Sequence, residues 1–295
     1  MMAERPRTAL VTGAGKGLGA AFATGLANDG CQVVVNNRTH SNTPSSAQHI
    51  AQSIRQSGGI ATHQESAVDD PGAAAVIIDD TVEHFGGLDI LVLNAGISGP
   101  AVKIDSEADT KLRDVMEINF FSNAALIAAA MPHLQASKAG RILLIASSAG
   151  LYGVRGRAAY AASKGALIAY GKSLADEHRR TPIRVNMLAP YAATAMTAGE
   201  GGAADPRLDP VNATAAAVWL CRPECDRTGE VWVSGAGHAA RGAVIESQGG
   251  TIPDGTPDGF GHAVATLAQL TDIREYNSAQ QAFASFMRPI TQSSV

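Results

Sequence analysis

The stretch TALVTGAGKGLG at residues 8–19 decides the fold, because it joins a mostly apolar run to a cluster of glycines. Residues 8–11 have the character of a buried strand in a parallel sheet. A helix is predicted at 20–28 and a second strand at 32–36. Strand, glycine loop, helix and strand within about thirty residues form the unit in which such a loop binds a dinucleotide.

The glycines of this loop have a physical role in that unit. They let the backbone turn tightly and approach a pyrophosphate, whose negative charge lies at the N-terminus of the following helix. We therefore predict a dinucleotide site built from six loop residues: Gly13, Gly15, Lys16, Gly17, Leu18 and Gly19.

Strands and helices continue to alternate along the chain, which predicts an α/β fold with a single Rossmann-type, doubly wound parallel sheet. Further helices are expected at 47–57, 72–85, 109–131, 158–178 and 213–220. Further strands are expected at 60–65, 88–93, 141–146, 183–188 and 231–233. Ligands of such sheets bind beyond the carboxyl ends of the strands, so the motifs at strand ends are expected to share one crevice.

We divide the chain into a Rossmann-type domain at residues 1–245 and a helical extension at 246–295. The extension is predicted to contain a loop at 249–261 and one helix at 263–287, and to pack on the body or on a second subunit. Residues 198–210, rich in Gly, Ala, Asp and Pro, predict a mobile loop. It is either a substrate lid or a linker, and its place on the ligand side of the sheet favours the lid.

Tyr160 and Lys164 are four residues apart on a predicted helix, so both side chains can point into one cleft. A nearby ammonium group favours the phenolate, so we expect the pKa of Tyr160 to fall from about 10. A phenol with a lowered pKa can exchange a proton with a substrate oxygen. The same spacing also occurs on ordinary surface helices.

The amino-acid composition limits the kinds of molecule that this protein is expected to bind. The 295 residues are 45% hydrophobic and 17% charged, with a net charge of −4. No basic block indicates a nucleic-acid partner, no apolar run is expected to span a bilayer, and residues 1–7 are too short and polar for a signal peptide. The last three residues are not the peroxisomal tripeptide. Three sparse cysteines fit a reducing compartment, so we expect a cytoplasmic protein. Cys221 and Cys225 are four residues apart, but no His or Cys lies nearby at ligand spacing, so no bound metal is expected.

Six motifs in order resemble the short-chain dehydrogenase/reductases over residues 7–235. They are TGAGKGLG at 12–19, NAG at 94–96, IN at 118–119, ASS at 146–148, YAASK at 160–164 and NMLAP at 186–190. Residues 185–250 and the long tail are similar to the (3R)-hydroxyacyl-CoA dehydrogenase domain of the peroxisomal multifunctional enzymes and their bacterial relatives. The resemblance implies a nicotinamide-dependent oxidoreductase that interconverts a secondary alcohol and a ketone.

By this resemblance Tyr160 is the general acid/base, and Lys164 lowers its pKa while holding the nicotinamide ribose. Ser147 orients the substrate oxygen, with Ser148 as a competing candidate. Asn119 sits in a helix bend and holds a water that links Lys164 to solvent; alternatively, its side chain bonds its own helix backbone. The remaining cofactor contacts implied by the resemblance are Val68, Asn94, Ala95, Gly96 and Pro190, together with Tyr160 and Lys164. Ala67 replaces the aspartate that often contacts the adenine.

The second strand ends in Asn36-Asn37-Arg38, where an NAD enzyme usually carries a carboxylate for the ribose 2′-hydroxyl. An amide does not repel a 2′-phosphate, and Arg38 and Lys16 can attract one. We therefore favour NADP(H), with NAD(H) also open. In this respect the chain departs from the multifunctional enzymes, which carry an aspartate there and use NAD.

The resemblance points to a 3-hydroxyacyl or 3-oxoacyl thioester such as an acyl-CoA, with Arg155 and Arg157 as candidate contacts. A free alcohol, sugar or steroid is the second candidate, and a non-catalytic nucleotide-binding scaffold is the third. Relatives in the family are usually dimers or tetramers, so a homo-oligomer is expected.

Overall fold

The computed structural model describes residues 5–39, 43–101, 108–193, 205–247, 249–252, 255–270 and 272–292. The chain divides into two compact units, residues 1–241 and 242–295, each of which is described by itself. The predicted division lies between residues 245 and 246.

The first unit is built around an eight-stranded sheet in the order β3-β2-β1-β4-β5-β6-β7-β8. The strands are β1 (Thr8–Val11), β2 (Gln32–Asn36), β3 (Ile60–Gln64), β4 (Ile90–Leu93), β5 (Arg141–Ile145), β6 (Arg184–Pro190), β7 (Val231–Gly235) and β8 (His238–Gly242). Neighbouring strands from β3 to β7 pair in parallel. The order of the strands reverses between β1 and β4, where doubly wound sheets bind their ligands. The predicted α/β Rossmann-type sheet is confirmed.

Strand β8 was not predicted from the sequence. It follows β7 through a two-residue turn, in which Ala236 and Gly237 have φ values of 51° and 76°. Left-handed backbone at both positions is typical of tight β-hairpins.

The helices of this unit cover both faces of the sheet. They are α1 (Gly17–Asn28), α2 (Ser46–Gln56), α3 (Ala73–Phe85), α4 (Ala108–Met116), α5 (Ser122–Ala136), α6 (Ser148–Tyr152), α7 (Ala158–Glu177) and α8 (Thr214–Cys221). A π-helical turn at Glu117–Phe121 separates α4 from α5, so the single helix predicted at 109–131 is interrupted. The short helix α6 was not predicted either.

Two apolar cores hold these layers together. On one face Phe22 of α1 and Ile54 of α2 are buried with Leu220 of α8. On the other face Ile77 of α3 and Leu126 of α5 are buried with their neighbours from α7. The sheet is therefore covered on both sides, which explains the near-continuous apolar strands.

The stretch Leu112–Ala136 is long and apolar enough to cross a membrane by length and composition alone. That is weak evidence, because a helix in the core of a globular protein passes the same test. The stretch also contains Glu117 and Asn119, so it is not an uninterrupted apolar run, and Leu126 and Leu134 are buried in the core.

Over its described residues, the second unit contains two helices rather than the one predicted at 263–287. Helix α9 (Pro257–Leu267) begins inside the predicted loop at 249–261, and α10 (Ala279–Gln292) follows after a break. Between the helices lies β10 (Arg274–Glu275), which pairs antiparallel with β9 (Ile245–Glu246). The apolar spacing gave no sign of this break, which contains Asp272 with a left-handed φ of 49°.

Of the loop predicted at 198–210, the structure describes residues 205–210, and residues 198–204 lie outside the described part of the chain. Its far end is ordered in two short 3-10 turns, Pro206–Leu208 and Pro210–Ala213. Both turns begin with an aspartate whose carboxylate accepts a backbone N–H, at Asp205 and Asp209. The role of this segment as a lid stays a prediction.

Candidate active site

The glycine loop connects β1 to the first residue of α1, and it is packed against the end of β4. Asn94, directly after β4, donates its Nδ2 hydrogens to the carbonyls of Thr12 and Gly13 at 3.0 and 3.1 Å. Gly13 has a φ of 61°, and a Cβ added there would lie 2.8 Å from the Cα of Ala95. A Cβ on Gly19 would lie 2.6 Å from Asn94 Nδ2 and clash with the carbonyl oxygen of Gly13. Glycine is thus required at both positions.

Thr12 completes this junction, although the sequence analysis did not single it out as a site residue. Its buried Oγ1 accepts hydrogen bonds from the backbone N–H groups of Asn94 and Ala95, both at 3.1 Å. The hydroxyl fixes the start of the NAG segment against the loop. Its place at the exact carboxyl end of β1 is the signal that points to such a role.

The loop residues fit a nicotinamide dinucleotide. Lys16 and Gly17 are exposed beside the N-terminus of α1, where backbone N–H groups favour a pyrophosphate. A Cβ on Gly15 would clash with Ser46 Oγ and lie 2.8 Å from Asn37 Nδ2. A backbone without side chains at Gly13, Gly15 and Gly19 is what the close approach of a pyrophosphate requires.

Asn37, which directly follows β2, lies next to α2. Its Nδ2 donates to Ser46 Oγ at 2.9 Å and to the backbone carbonyl of Arg38 at 3.2 Å. The side chain of Arg38 is exposed. An NAD site usually has a carboxylate at this position, and here it is an amide. The nearest charged side chains named above, Lys16 and Arg38, are cations, and both are exposed.

Ser147 and Tyr160 form the centre of the catalytic group. Ser147 follows β5 and caps α6, where its Oγ accepts the N–H of Ala149 at 3.1 Å. Tyr160 lies in the first turn of α7, and Ser147 is near enough to its hydroxyl to lower the pKa of the phenol. Ser147, and not the competing candidate Ser148, affects the pKa of Tyr160. Its role in orienting the substrate oxygen stays a prediction.

The pKa of Tyr160 is higher than its ordinary value, which is opposite to the prediction. Burial raises this pKa, and the nearby Ser147 and the positive charge of Arg157 offset only part of the rise. The helical spacing of Tyr160 and Lys164 was predicted correctly, but the burial of the phenol was not visible in the sequence.

Lys164 is almost fully buried, and burial lowers its pKa to about 8. Its Nζ donates to the backbone carbonyl of Ile145, the last residue of β5, at 2.7 Å. Gly96 makes room beside it, because a Cβ there would lie 3.6 Å from Nζ and 3.0 Å from Asn119 Oδ1. With one of its three N–H groups bound to Ile145, the ammonium retains two further donors, and its role in holding the ribose stays a prediction.

Asn119 lies buried in the π-helical turn and binds the segment after β4. Its Oδ1 accepts from the N–H of Ile97 at 2.8 Å, and its Nδ2 donates to the carbonyl of Ile97 at 2.9 Å. The second Nδ2 hydrogen reaches Ser163 Oγ at 2.9 Å. The backbone carbonyl of Asn119 accepts from Asn123 Nδ2 at 2.7 Å. The bend was expected, but the side chain binds neighbouring segments, and the water-holding role stays a prediction.

Many of the predicted site residues therefore lie in two groups of contacting residues that are adjacent along the segment after β4. One group contains the glycine loop with Asn94 and Ala95, and the other contains Gly96, Asn119 and Lys164. Two predicted cofactor contacts lie at the surrounding strand ends: Val68 is buried against the α3 face, and Pro190 ends β6. Within the described part of the chain, no group of three or more His, Cys, Asp or Glu side chains is placed to hold a metal.

Comparison with known proteins gives the class that this geometry indicates. The sequence matches the short chain dehydrogenase family over residues 7–203. A crystal structure of a short chain dehydrogenase from Mycobacterium avium has 34% sequence identity and a TM-score of 0.78, covering 89% of this chain and 94% of the other.

Two relatives add detail. A short-chain type dehydrogenase/reductase of Mycobacterium tuberculosis is 31% identical over 284 residues, which are 92% of this chain and 96% of the relative. Peroxisomal multifunctional enzyme type 2 of Drosophila melanogaster is 33% identical over 255 residues, which are 83% of this chain. The matched part is 42% of the length of the fly enzyme.

The chain belongs to the short-chain dehydrogenase/reductase family. It is a nicotinamide-dependent oxidoreductase that acts on CH–OH groups, and its substrate is a small molecule. It resembles the dehydrogenase part of the peroxisomal multifunctional enzymes.

Proposed function

We propose that this protein is an NADP(H)-preferring oxidoreductase that interconverts 3-oxoacyl and 3-hydroxyacyl thioesters. The observation that carries the oxidoreductase chemistry is Ser147 beside the hydroxyl of Tyr160, with buried Lys164 one helical turn away on α7. The similarity to the fly multifunctional enzyme over most of the chain supports the thioester.

A bound nicotinamide supplies or accepts the hydride in this reaction. As a carbonyl is reduced, negative charge develops on its oxygen, and the hydroxyls of Tyr160 and Ser147 stabilise that charge through hydrogen bonds. Tyr160 donates the proton to the oxygen, and in the reverse direction it accepts the proton. Its raised pKa keeps the phenol protonated in the free protein, which suits the reduction.

The preference for NADP(H) is supported by the residues around the ribose position. Asn37 places an uncharged amide where a carboxylate would repel a 2′-phosphate. Lys16 and Arg38 are both exposed, so a phosphate can reach either cation. The preferred direction on this reading is reduction of the 3-oxo form.

Assembly and location are part of the same proposal. We expect a homodimer or homotetramer, supported by the large apolar side chains of Leu112 and Phe121, which are exposed on the stretch from α4 to α5. The proposed location is the cytoplasm, supported by three free, buried cysteines: Cys31, Cys221 and Cys225.

A cofactor-oxidation screen tests the substrate class. The purified protein is mixed with NADPH and, in separate reactions, acetoacetyl-CoA, longer 3-oxoacyl-CoA esters, keto-steroids, keto-sugars and small ketones. We expect the highest kcat/KM with a 3-oxoacyl thioester. Faster turnover of a steroid, sugar or simple ketone would assign the second candidate, and no turnover of any ketone would favour the non-catalytic scaffold.

A further inference from the structure

Ser163, between Tyr160 and Lys164 on α7, makes two hydrogen bonds that link three parts of the site. Its hydroxyl accepts from Asn119 Nδ2 at 2.9 Å and donates to the backbone carbonyl of Tyr160 at 2.8 Å. The side chains of Ser163 and Asn119 are completely buried. Ser163 lies within the YAASK motif but has no role among the residues predicted for the site.

The direction of every bond in this cluster is fixed by its chemistry. Asn119 Oδ1 accepts from the N–H of Ile97, and Nδ2 donates to the carbonyl of Ile97, so the amide cannot be reversed. Its remaining hydrogen points to Ser163 Oγ, which must act as the acceptor. The hydroxyl hydrogen of Ser163 is therefore free for the carbonyl of Tyr160.

The first turn of α7 needs such support. Its N-cap residue, Arg157, makes no side-chain capping bond, and the turn follows a segment with left-handed glycines at Gly153 and Gly156. An uncapped first turn is the part of a helix that frays most easily. The bonds of Ser163 connect this turn to the π-helical turn and, through Asn119, to the segment that follows β4.

We propose that Ser163 is a positioning residue, which holds the turn carrying Tyr160 and Lys164 so that the phenol stays at Ser147. The inference rests on the proposed acid/base role of Tyr160 and is independent of the thioester substrate and of the preference for NADP(H). Ser163 acts through its neighbours and does not itself contact the reacting atoms.

A serine hydroxyl bonded to its own helix is common, so a matched control is needed. Ser173, on the same helix, donates to the carbonyl of Ala169 at 3.2 Å and is exposed. It shares the local bond of Ser163 but lacks the buried link to a second helix. Ser163→Ala and Ser173→Ala therefore differ in the link to Asn119.

The test uses the full chain labelled with 13C at the ζ carbon of tyrosine. The chain has five tyrosines, and Tyr160→Phe identifies the Tyr160 signal. We expect Ser163→Ala to shift or broaden this signal while the other four stay in place, and Ser173→Ala to leave all five unchanged. This readout needs no substrate, so it remains informative if the proposed function fails.

Kinetics give the second readout, with the ketone found in the screen. Ser163→Ala is expected to lower kcat about tenfold or more, since small displacements of catalytic groups cost that much. The Kd for NADPH, measured by nicotinamide fluorescence, should change less than about threefold. A residue that positions the catalytic groups affects mainly kcat and not the binding of the cofactor. Ser163→Cys keeps the approximate size of the side chain and a weak donor, so its kcat should lie between those of Ser163→Ala and the parent protein. This variant replaces Ser163→Ala in both measurements if Ser163→Ala does not fold.

A folded Ser163→Ala or Ser163→Cys protein with an unmoved Tyr160 signal and parental kcat would overturn the proposal. A lower melting temperature alone, without either change, would assign Ser163 a structural role and would equally overturn it.

Discussion

The ammonium nitrogen of Lys164 lies 5.8 Å from the centre of the Tyr160 ring, and it donates its hydrogen bond to the strand end at Ile145. The two side chains share one side of α7, as their spacing predicted. Lys164 is buried and Tyr160 is partly buried, however, and burial opposes the charged form of each group. In the free protein the phenol of Tyr160 is therefore protonated, and Lys164 loses its proton more easily than an exposed lysine does.

Replacing Lys164 by methionine is expected to change how stability depends on pH. Burial lowers the pKa of Lys164 from 10.5 to about 8 in the folded state. Below pH 8 both states hold the proton, so the folded state bears the full cost of a buried charge. Between pH 8 and 10.5 the folded state releases the proton first, and this cost disappears as the pH rises.

Lys164→Met removes that cost at every pH. Its free energy of unfolding relative to the parent protein should therefore fall by about 3 kcal/mol between pH 7 and 10.5. Urea unfolding at a series of pH values measures this difference. A difference that stays constant over the range would mean that the pKa of Lys164 is not lowered by burial.

Asn37→Asp is expected to shift the cofactor preference towards NAD(H). The new carboxylate keeps the shape of the side chain, accepts a hydrogen bond from a ribose 2′-hydroxyl and repels a 2′-phosphate. The ratio of kcat/KM for NADPH to that for NADH should fall about tenfold or more, since one close charge pair contributes over 1 kcal/mol.

Arg38→Ala is the companion variant, because it should weaken binding of NADPH and leave binding of NADH unchanged. Binding of both cofactors is measured by fluorescence titration. A tenfold preference of the parent protein for NADH would contradict the proposed specificity.

Gly19→Ala tests the junction between the glycine loop and Asn94. The added methyl group would lie 2.6 Å from Asn94 Nδ2 and would clash with the carbonyl of Gly13. Such overpacking costs on the order of 1–3 kcal/mol, so we expect the Kd for NADPH to rise about tenfold. Gly261→Ala is the control, because nothing lies within 4 Å of its added Cβ. Equal NADPH affinities in the two variants would exclude a role of the junction in cofactor binding.

The parallel sheet and its sequence of helices were predictable because their signals are local. The apolar strands and the glycine loop stand directly in the sequence, and the motifs follow the strands whose ends form the crevice. The family resemblance implied a bend at Asn119, but the apolar spacing did not show its π-helical form, since one residue of extra winding leaves that spacing nearly unchanged. The pairing of β9 with β10 was missed because each strand has only two residues, all exposed, which is too few for an apolar pattern.

In the candidate site too, features that depend on local spacing were predictable, and features that depend on segments distant in sequence were not. The spacing of Tyr160 and Lys164 predicted a shared face, which depends on the helix alone. The pKa of Tyr160 depends on burial by the surrounding segments, and its predicted direction was wrong. The link from Ser163 to Asn119 crosses 44 residues of sequence, so only the folded chain reveals it.

The central claim is that Tyr160 exchanges the proton with the substrate oxygen, and Tyr160→Phe tests it most directly. The variant keeps the ring and loses only the hydroxyl. We predict that kcat for reduction of the ketone found in the screen falls about a thousandfold or more, as expected for loss of a general acid. The Kd for NADPH should stay within about threefold of the parent value, since a general acid contributes to the transition state and not to cofactor binding. A variant that retains the parental kcat would contradict the account.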